Sequence, residues 1–249
     1  MPAFQALEGM PYWQDLLTSD LRKSSYFYSK LLDWEVSQDS YAVARMQGLP
    51  IAGFVPQEEN GWVVYFLTRD VDGITRAVQQ RGGTVLATAE VSLGRMALCA
   101  DPAGAVFGVI HPAGEDQFVA AGEPGTPVWY EYIGAEESLI DFYADLFDWQ
   151  VNRSEGYYTA TVEGAAVLGM RVDDIEQGFW GVYLGVDNVA RASRGVAELG
   201  GEVLIAPHMS PFGPLTVIAD STGATVTLCE IDPPVADDEV GEADSVLDL

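Results

Sequence analysis

An α+β fold of two tandem domains, each built from two βαβββ units, is what the sequence predicts, and three observations carry that prediction. The octapeptide FYSKLLDW at 27–34 returns as FYADLFDW at 142–149. The correspondence then runs through the chain: Trp13 pairs with Trp129, Trp34 with Trp149 and Trp62 with Trp180, which accounts for all six tryptophans. Tyr65 pairs with Tyr183, Gly82-Gly83 with Gly200-Gly201, and Asp101-x-x-Gly104-Ala105 with Asp220-x-x-Gly223-Ala224, at an offset that drifts only from 115 to 119. A period this long marks a duplicated domain and not a solenoid repeat. Finally, each half reads as strand, helix and three strands, twice over.

In the first half, PYWQDLLTS alternates and is rich in aromatic residues, as a half-buried strand is. From Ser24 to Leu32, Phe27, Tyr28, Leu31 and Leu32 recur at helical spacing, with Ser24 or Ser25 as the expected N-cap. WEVSQ, YAVARM and PIAGFV follow as short strands. WVVYFLTR restarts the order, and VDGITRAVQQRGG is a helix closed by a glycine just past its end. TVLATAEV, RMALCAD and AVFGVI complete the half. The duplication sets the boundaries: a first domain over 1–111, a linker over 112–125 rich in Gly, Pro and acids, and a second domain over 126–231. An acidic tail over 232–249, with seven acids and no base, is expected to be weakly ordered.

Composition narrows the partners. With 48% apolar residues the chain can bury real cores, while no apolar run approaches the roughly 18 residues of a membrane span. The N-terminal MPAFQALEGM lacks the basic-then-apolar order of a secretory signal, so a soluble, cytoplasmic protein without a membrane partner is expected. A net charge of −26, from 12 basic and 38 acidic residues, repels phosphate backbones and argues against nucleic acid. Cys99 and Cys229 lie in β-like apolar runs and read as small buried hydrophobes rather than a bridge. No phosphate-binding GxxxxGK[ST], no GxGxxG after a strand and no GxSxG elbow is present.

A paired βαβββ unit with FYxxLxxW on its first helix and DPxG before its last strand resembles the vicinal oxygen chelate superfamily. That group contains glyoxalase I, the extradiol dioxygenases and the bleomycin-resistance proteins. The resemblance covers roughly residues 10–231 and is strongest to tandem two-domain members described as glyoxalase-like or as hydroxylases. It implies sheets curled around a cleft whose inward face holds the ligand. In the metal enzymes of the group, His or Glu side chains on that face hold a divalent ion that serves as a Lewis acid. Counting from the motifs places those ligand positions here at Trp13 and Trp129, Val63 and Gly181, Ala52-Gly53 and Leu168-Gly169, and Gly108 and Thr227. None is His, Asp or Glu, and an indole nitrogen has no lone pair to give. No metal and no other cofactor is therefore expected.

Asp15 and Glu131 each follow a strand tryptophan by two residues and so share its face; desolvated in a cleft, either could act as a general base, or could hydrogen-bond a backbone or tyrosine group and fix the pocket's shape. His208, in PHMSPFGP, is expected in a mouth-lining hairpin, either as an ordinary loop histidine or as an acid/base or ligand-contacting residue, and His111 at a solvated strand end. The aromatic pairs Trp13, Trp62, Tyr65, Trp129, Trp180 and Tyr183 are the candidate ligand-binding wall. Residues 62 and 65 lie on opposite strand faces, so one of them at most enters the cleft. Trp34 and Trp149 read as packing. The first functional expectation is a protein that binds a small apolar or aromatic metabolite or drug. A second is an enzyme of lyase, hydroxylase or dioxygenase type, using acid/base residues or a divalent metal at an unusual site. A third is a degenerate domain kept for structure. A monomer or a homodimer would serve any of them.

Overall fold

The computed structural model describes residues 3–39, 41–114 and 118–232. The expected acidic tail lies, from residue 233 on, outside the described residues. The first domain runs β1 (Ala3–Gln5), β2 (Pro11–Thr18), α1 (Leu21–Leu31), β3 (Glu35–Val36), β4 (Ala42–Met46), β5 (Leu49–Pro56), then β6 (Gly61–Leu67), α2 (Val71–Gln80), β7 (Thr84–Val91), β8 (Gly94–Ala100) and β9 (Val106–Pro112). After β10 (Phe118–Ala120), the second domain repeats it. Its elements are β11 (Pro127–Gly134), α3 (Glu137–Phe147), β12 (Gln150–Ser154), β13 (Tyr157–Val162), β14 (Ala165–Val172), β15 (Phe179–Val186), α4 (Val189–Glu198), β16 (Glu202–Ser210), β17 (Gly213–Ala219) and β18 (Thr225–Glu230).

Each domain forms one eight-stranded sheet, in the orders β3-β4-β5-β2-β6-β9-β8-β7 and β12-β13-β14-β11-β15-β18-β17-β16. The opening strands of the two units are antiparallel neighbours at the centre, and each is flanked by the parallel closing strand of its own unit. The helices start where local chemistry satisfies their free amides. Asp20 accepts from the Lys23 amide at 3.0 Å, Asp70 from Gly73 at 2.8 Å and Asn188 from Arg191 at 2.8 Å. The cap of α1 is thus Asp20, and the expectation of Ser24 or Ser25 is corrected. Both serines lie inside the helix, where Ser25 Oγ donates back to the Leu21 carbonyl and Ser24 Oγ meets Thr18 Oγ1 at 2.7 Å. The stretch expected as a plain linker contains β10, which pairs antiparallel with β1 and ties the chain's start to the domain junction.

One core serves both halves. Phe66 of β6 lies with its ring centroid 4.7 Å from Phe147 and 4.9 Å from Trp180, and α1 packs on α4 as α2 does on α3. The repeated octapeptides make the junction. Trp34 Nε1 donates to the Gly125 carbonyl at 2.7 Å, and Trp149 Nε1 donates to the Gly9 carbonyl at 2.9 Å. Gly9 and Gly125 occupy the left-handed region (φ +80 and +81), which turns those carbonyls toward the partner domain. Asp101, of the first DPxG turn, accepts from the hydroxyls of Tyr132 at 2.6 Å and Tyr143 at 3.2 Å. Its counterpart Asp220 faces Tyr28, but neither Asp220 Oδ2 nor the Tyr28 hydroxyl completes a hydrogen bond among the described residues.

Candidate functional site

In each sheet one face carries the helices and the other lines a cleft. Trp62 and Trp180 are on the helix face: Trp62 packs against Tyr28 and Trp34, and Trp180 against Tyr132, Tyr143 and Phe66. They leave the candidate binding wall, because a three-residue spacing from the cleft tyrosines reverses their side of the strand. Trp13, Tyr65, Trp129 and Tyr183 do face the clefts.

The inward rows have identical register in both domains. Asp15 sits between Gly53 and Val63, and Trp13 beside Tyr65, itself beside Gly108. In the second domain Glu131 sits between Gly169 and Gly181, and Trp129 beside Tyr183 and then Thr227. The four positions that the resemblance implies for metal ligands therefore converge, and the residues at them do not fit a metal. They are indole, glycine, valine and threonine side chains, and tyrosines occupy the space. A Cβ on Gly53 would fall on the Tyr41 hydroxyl and Asp15 Oδ1, one on Gly169 on the Tyr157 hydroxyl, and one on Gly108 on the Tyr65 ring. Among the described residues no three His, Cys, Asp or Glu side chains cluster closely enough to share an ion.

Tyr41 and Tyr157 are site residues that the sequence reading leaves out. A signal for them is present: each follows its strand tryptophan by 28 positions. In the first domain Trp13 Nε1 donates to both Asp15 Oδ1 (2.9 Å) and the Tyr41 oxygen (2.9 Å), and the Tyr41 hydroxyl donates to Asp15 Oδ1 at 2.8 Å. This cluster is sealed. Trp13, Val63, Tyr65, Met96 and Ile110 form a buried apolar group, with Leu93 and Leu98 packed against it, and Asp15 is 3% exposed. Burial raises the Asp15 pKa, against the hydrogen bonds from Tyr41 and Trp13. Asp15 lies beneath this group, while Trp13, Leu93 and Ile110 also border a cavity of about 250 Å³ that reaches Trp129 of the second domain.

The second domain is open. A cavity of about 530 Å³ is walled by Trp129, Tyr157, Phe212, Ile205, Leu215 and Val217, with Glu131, Arg171 and Tyr183 on its floor. Glu131 Oε2 accepts from the Tyr183 hydroxyl at 2.7 Å and from Arg171 Nε at 3.3 Å, while Arg171 Nη1 also bonds Asp173. Trp129 Nε1 donates to the Tyr157 oxygen at 3.1 Å, and the Tyr157 and Phe212 rings lie 5.5 Å apart at 43°. Burial first, and then the Glu131 charge, push the Tyr183 hydroxyl's pKa up, so it is a donor at any ordinary pH. The same two causes push the Cys229 thiol on the cavity wall up to about 12, which removes it as a nucleophile at neutral pH.

His208 lines this cavity, but within β16 and not between strands as expected. β16 is one residue longer than β7 and carries a second register break, between Ile205 and His208, beside Pro207. A bulge of this kind re-aims the side chains that follow it. His111 stands exposed near the end of β9, its Nδ1 3.0 Å from the Arg69 carbonyl. Both cysteines are free, Cys99 buried and Cys229 half-buried.

The doubled βαβββ sheets and the converging inward rows define a class, and comparison with known proteins agrees. The family profile described as "Glyoxalase-like domain" matches residues 14–110. The "Anthracycline biosynthesis protein DnrV" of Streptomyces peucetius is 30% identical over 262 residues, covering 90% of this chain and 94% of that protein. The chain belongs to the glyoxalase-like family of the vicinal oxygen chelate superfamily. Among solved structures, the Mn(II)-bound glyoxalase from Novosphingobium aromaticivorans superposes with a TM-score of 0.63 at 14% identity, over 91% of this chain and 84% of that one. The 2,2',3-trihydroxybiphenyl 1,2-dioxygenase from Sphingomonas wittichii strain RW1 gives 0.64 at 14%, over 93% of each chain. At that identity the two structures establish the shared fold alone. No helix among the described residues is long and apolar enough to cross a membrane.

Proposed function

We propose that the second domain binds a small planar, largely apolar molecule without a metal ion, and that the first domain is its rigid support. The carrying observation is the pairing of an open aromatic cavity with a matching cleft that is packed shut. A volume of about 530 Å³ falls in the range of small-molecule sites, and burial against aromatic walls supplies the main driving force. The name of the Streptomyces peucetius relative supports the reading, since anthracyclines are planar polycyclic aromatics. A panel of planar aromatics screened by thermal shift tests it. A true ligand at about 100 times its Kd should stabilise the fold by about 2.7 kcal/mol. Leu215→Trp, which fills the cavity, should abolish the shift, and protein purified without chelators should carry no stoichiometric metal. Silence across the panel, a shift indifferent to Leu215→Trp, or a bound transition metal would sink the proposal.

One observation favours a catalytic variant of this reading. His208 Nδ1 lies 3.0 Å from the Ala206 carbonyl, which in the neutral ring selects the Nδ1–H tautomer and leaves Nε2 as a base at the cavity wall. Turnover or solvent-deuterium exchange of a bound ligand that disappears in His208→Gln would establish it; exchange that persists in the variant would exclude it.

A further inference from the structure

The cavity of about 250 Å³ beside the first cleft is not used by the function proposed for the second domain. Equivalent strands of the two domains build it. Tyr12, Trp13 and Gln14 of β2 are matched by Val128, Trp129 and Tyr130 of β11, and Ile51 of β5 by Val167 of β14. β10 adds Val119 and Ala120 from the segment that joins the domains. The cavity therefore belongs to the junction, and one copy of the domain alone could not form it.

Its walls select by charge. Among the described residues that border it none is charged, in a chain with 38 acidic and 12 basic residues. An ion entering would give up its hydration with no counter-charge to meet. The polar groups that cross the junction are spent on one another. The Tyr130 hydroxyl donates to Gln14 Oε1 at 2.6 Å, and Gln14 Nε2 donates to the Ile51 carbonyl. Water would find few partners there, whereas an apolar molecule gains from burial. An apolar cavity of about 150 Å³ holds benzene, so this one has room for a substituted ring. We propose that the junction cavity is a second binding site, for one small, neutral, apolar molecule such as a monocyclic aromatic, whose faces meet Trp13 and Trp129. It is distinct from the larger cavity, which is bordered by Trp129 and not by Trp13.

Toluene is a suitable probe and fluorinated tryptophan a suitable reporter, because the tryptophans are placed to separate the outcomes. Of the two cavities Trp13 borders the junction one and Trp129 borders both, while Trp34, Trp62, Trp149 and Trp180 pack in the core. In fluorine NMR spectra of the whole chain, with the Trp13 signal assigned through Trp13→Phe, toluene should shift the Trp13 and Trp129 signals saturably and leave the core signals nearly still. Ala166→Phe, placed at an exposed position on the cavity's border, should weaken the affinity read at Trp13 at least about tenfold. Val119→Phe should do the same from β10, and it reads the site if the first variant fails to fold. Leu215→Trp, which fills the larger cavity, should leave the Trp13 response in place. A still Trp13 signal, a response that survives both phenylalanine variants, or one that Leu215→Trp abolishes would overturn the junction site. If Trp13 responds while no planar aromatic binds the second domain, the junction site stands and the function proposed for that domain fails.

Discussion

At the tip of the β7–β8 hairpin Leu93 folds into the first cleft, packed with Met96, Tyr65 and Trp13; at the matching tip of β16–β17, Phe212 stands 72% exposed at the mouth of an open cavity. Beneath these tips the domains share a strand register and a set of tryptophan, carboxylate and two tyrosines. The differences are few and local. Met96 and Ile110 of the first cleft are replaced by Leu215 and Cys229, and Val55 by Arg171. One inserted residue and Pro207 add a bulge to β16. A duplicated domain thus separates two tasks. The first copy buries the apolar surface of its cleft, and the second leaves the matching surface as the wall of a cavity, a division a single copy could not make without losing stability.

The largest effect expected from breaking this symmetry is at the junction. Asp101→Ala leaves the buried hydroxyls of Tyr132 and Tyr143 without their acceptor, at roughly 1–3 kcal/mol each. Asp220→Ala removes the same turn contacts on the other side, from the amides of Thr222 and Ala224, together with the Thr222 hydroxyl's bond at 2.8 Å, but no short tyrosine bond. Denaturant unfolding should therefore show Asp101→Ala to be less stable than Asp220→Ala by about 2–4 kcal/mol. Equal losses would mean that Tyr28 and Asp220 interact as strongly as their counterparts.

A smaller effect separates the clefts themselves. In Gly53→Ala the new methyl meets Asp15 and Tyr41 within a sealed cluster, and overpacking there should cost about 1–3 kcal/mol. In Gly169→Ala it meets Tyr157, whose ring can swing into the open cavity, so the cost should stay below about 1 kcal/mol while ligand affinity falls. The reverse order of stabilities would show that the second cleft is as tightly packed as the first.

Much of the fold is legible in the sequence because duplication doubles every signal. Trp13 and Trp129, or Gly82 and Gly200, confirm one another where either alone would be weak. The sharing of a face by Trp13 and Asp15 comes from strand alternation and holds, with the indole donating to the carboxylate. The features that stay hidden depend on shape. Nothing local distinguishes Leu93, which packs inward, from Phe212, which does not. Trp62 reads as a cleft aromatic although its spacing from Tyr65 already puts one of the two on the helix side. Arg171 escapes notice because it has no counterpart in the first half, so the comparison that exposes every other feature is blind to it. Asp20 caps α1 ahead of two serines because the helix begins before its apolar stripe does.

The smallest difference is one of sign. Burial raises the Asp15 pKa from its ordinary value of 3.8. An acid bound more tightly to its proton in the folded state contributes fully below its unfolded pKa and loses that contribution as pH rises through the folded one. Asp15→Asn keeps the Oδ1 acceptor for Trp13 and Tyr41 and removes the charge. Its stability relative to wild type should therefore climb as pH rises from about 4 and level off above the folded pKa. The corresponding change in the open domain should lower stability at neutral pH. Glu131→Gln takes the charged partner from Arg171 and weakens the Tyr183 hydrogen bond, for a loss of about 1 kcal/mol at neutral pH in a pair that is partly solvated. At neutral pH the unfolding midpoint of Asp15→Asn should lie above wild type and that of Glu131→Gln below it. If Asp15→Asn instead lost stability at neutral pH, the sealed carboxylate would be held by its donors more firmly than burial penalises it.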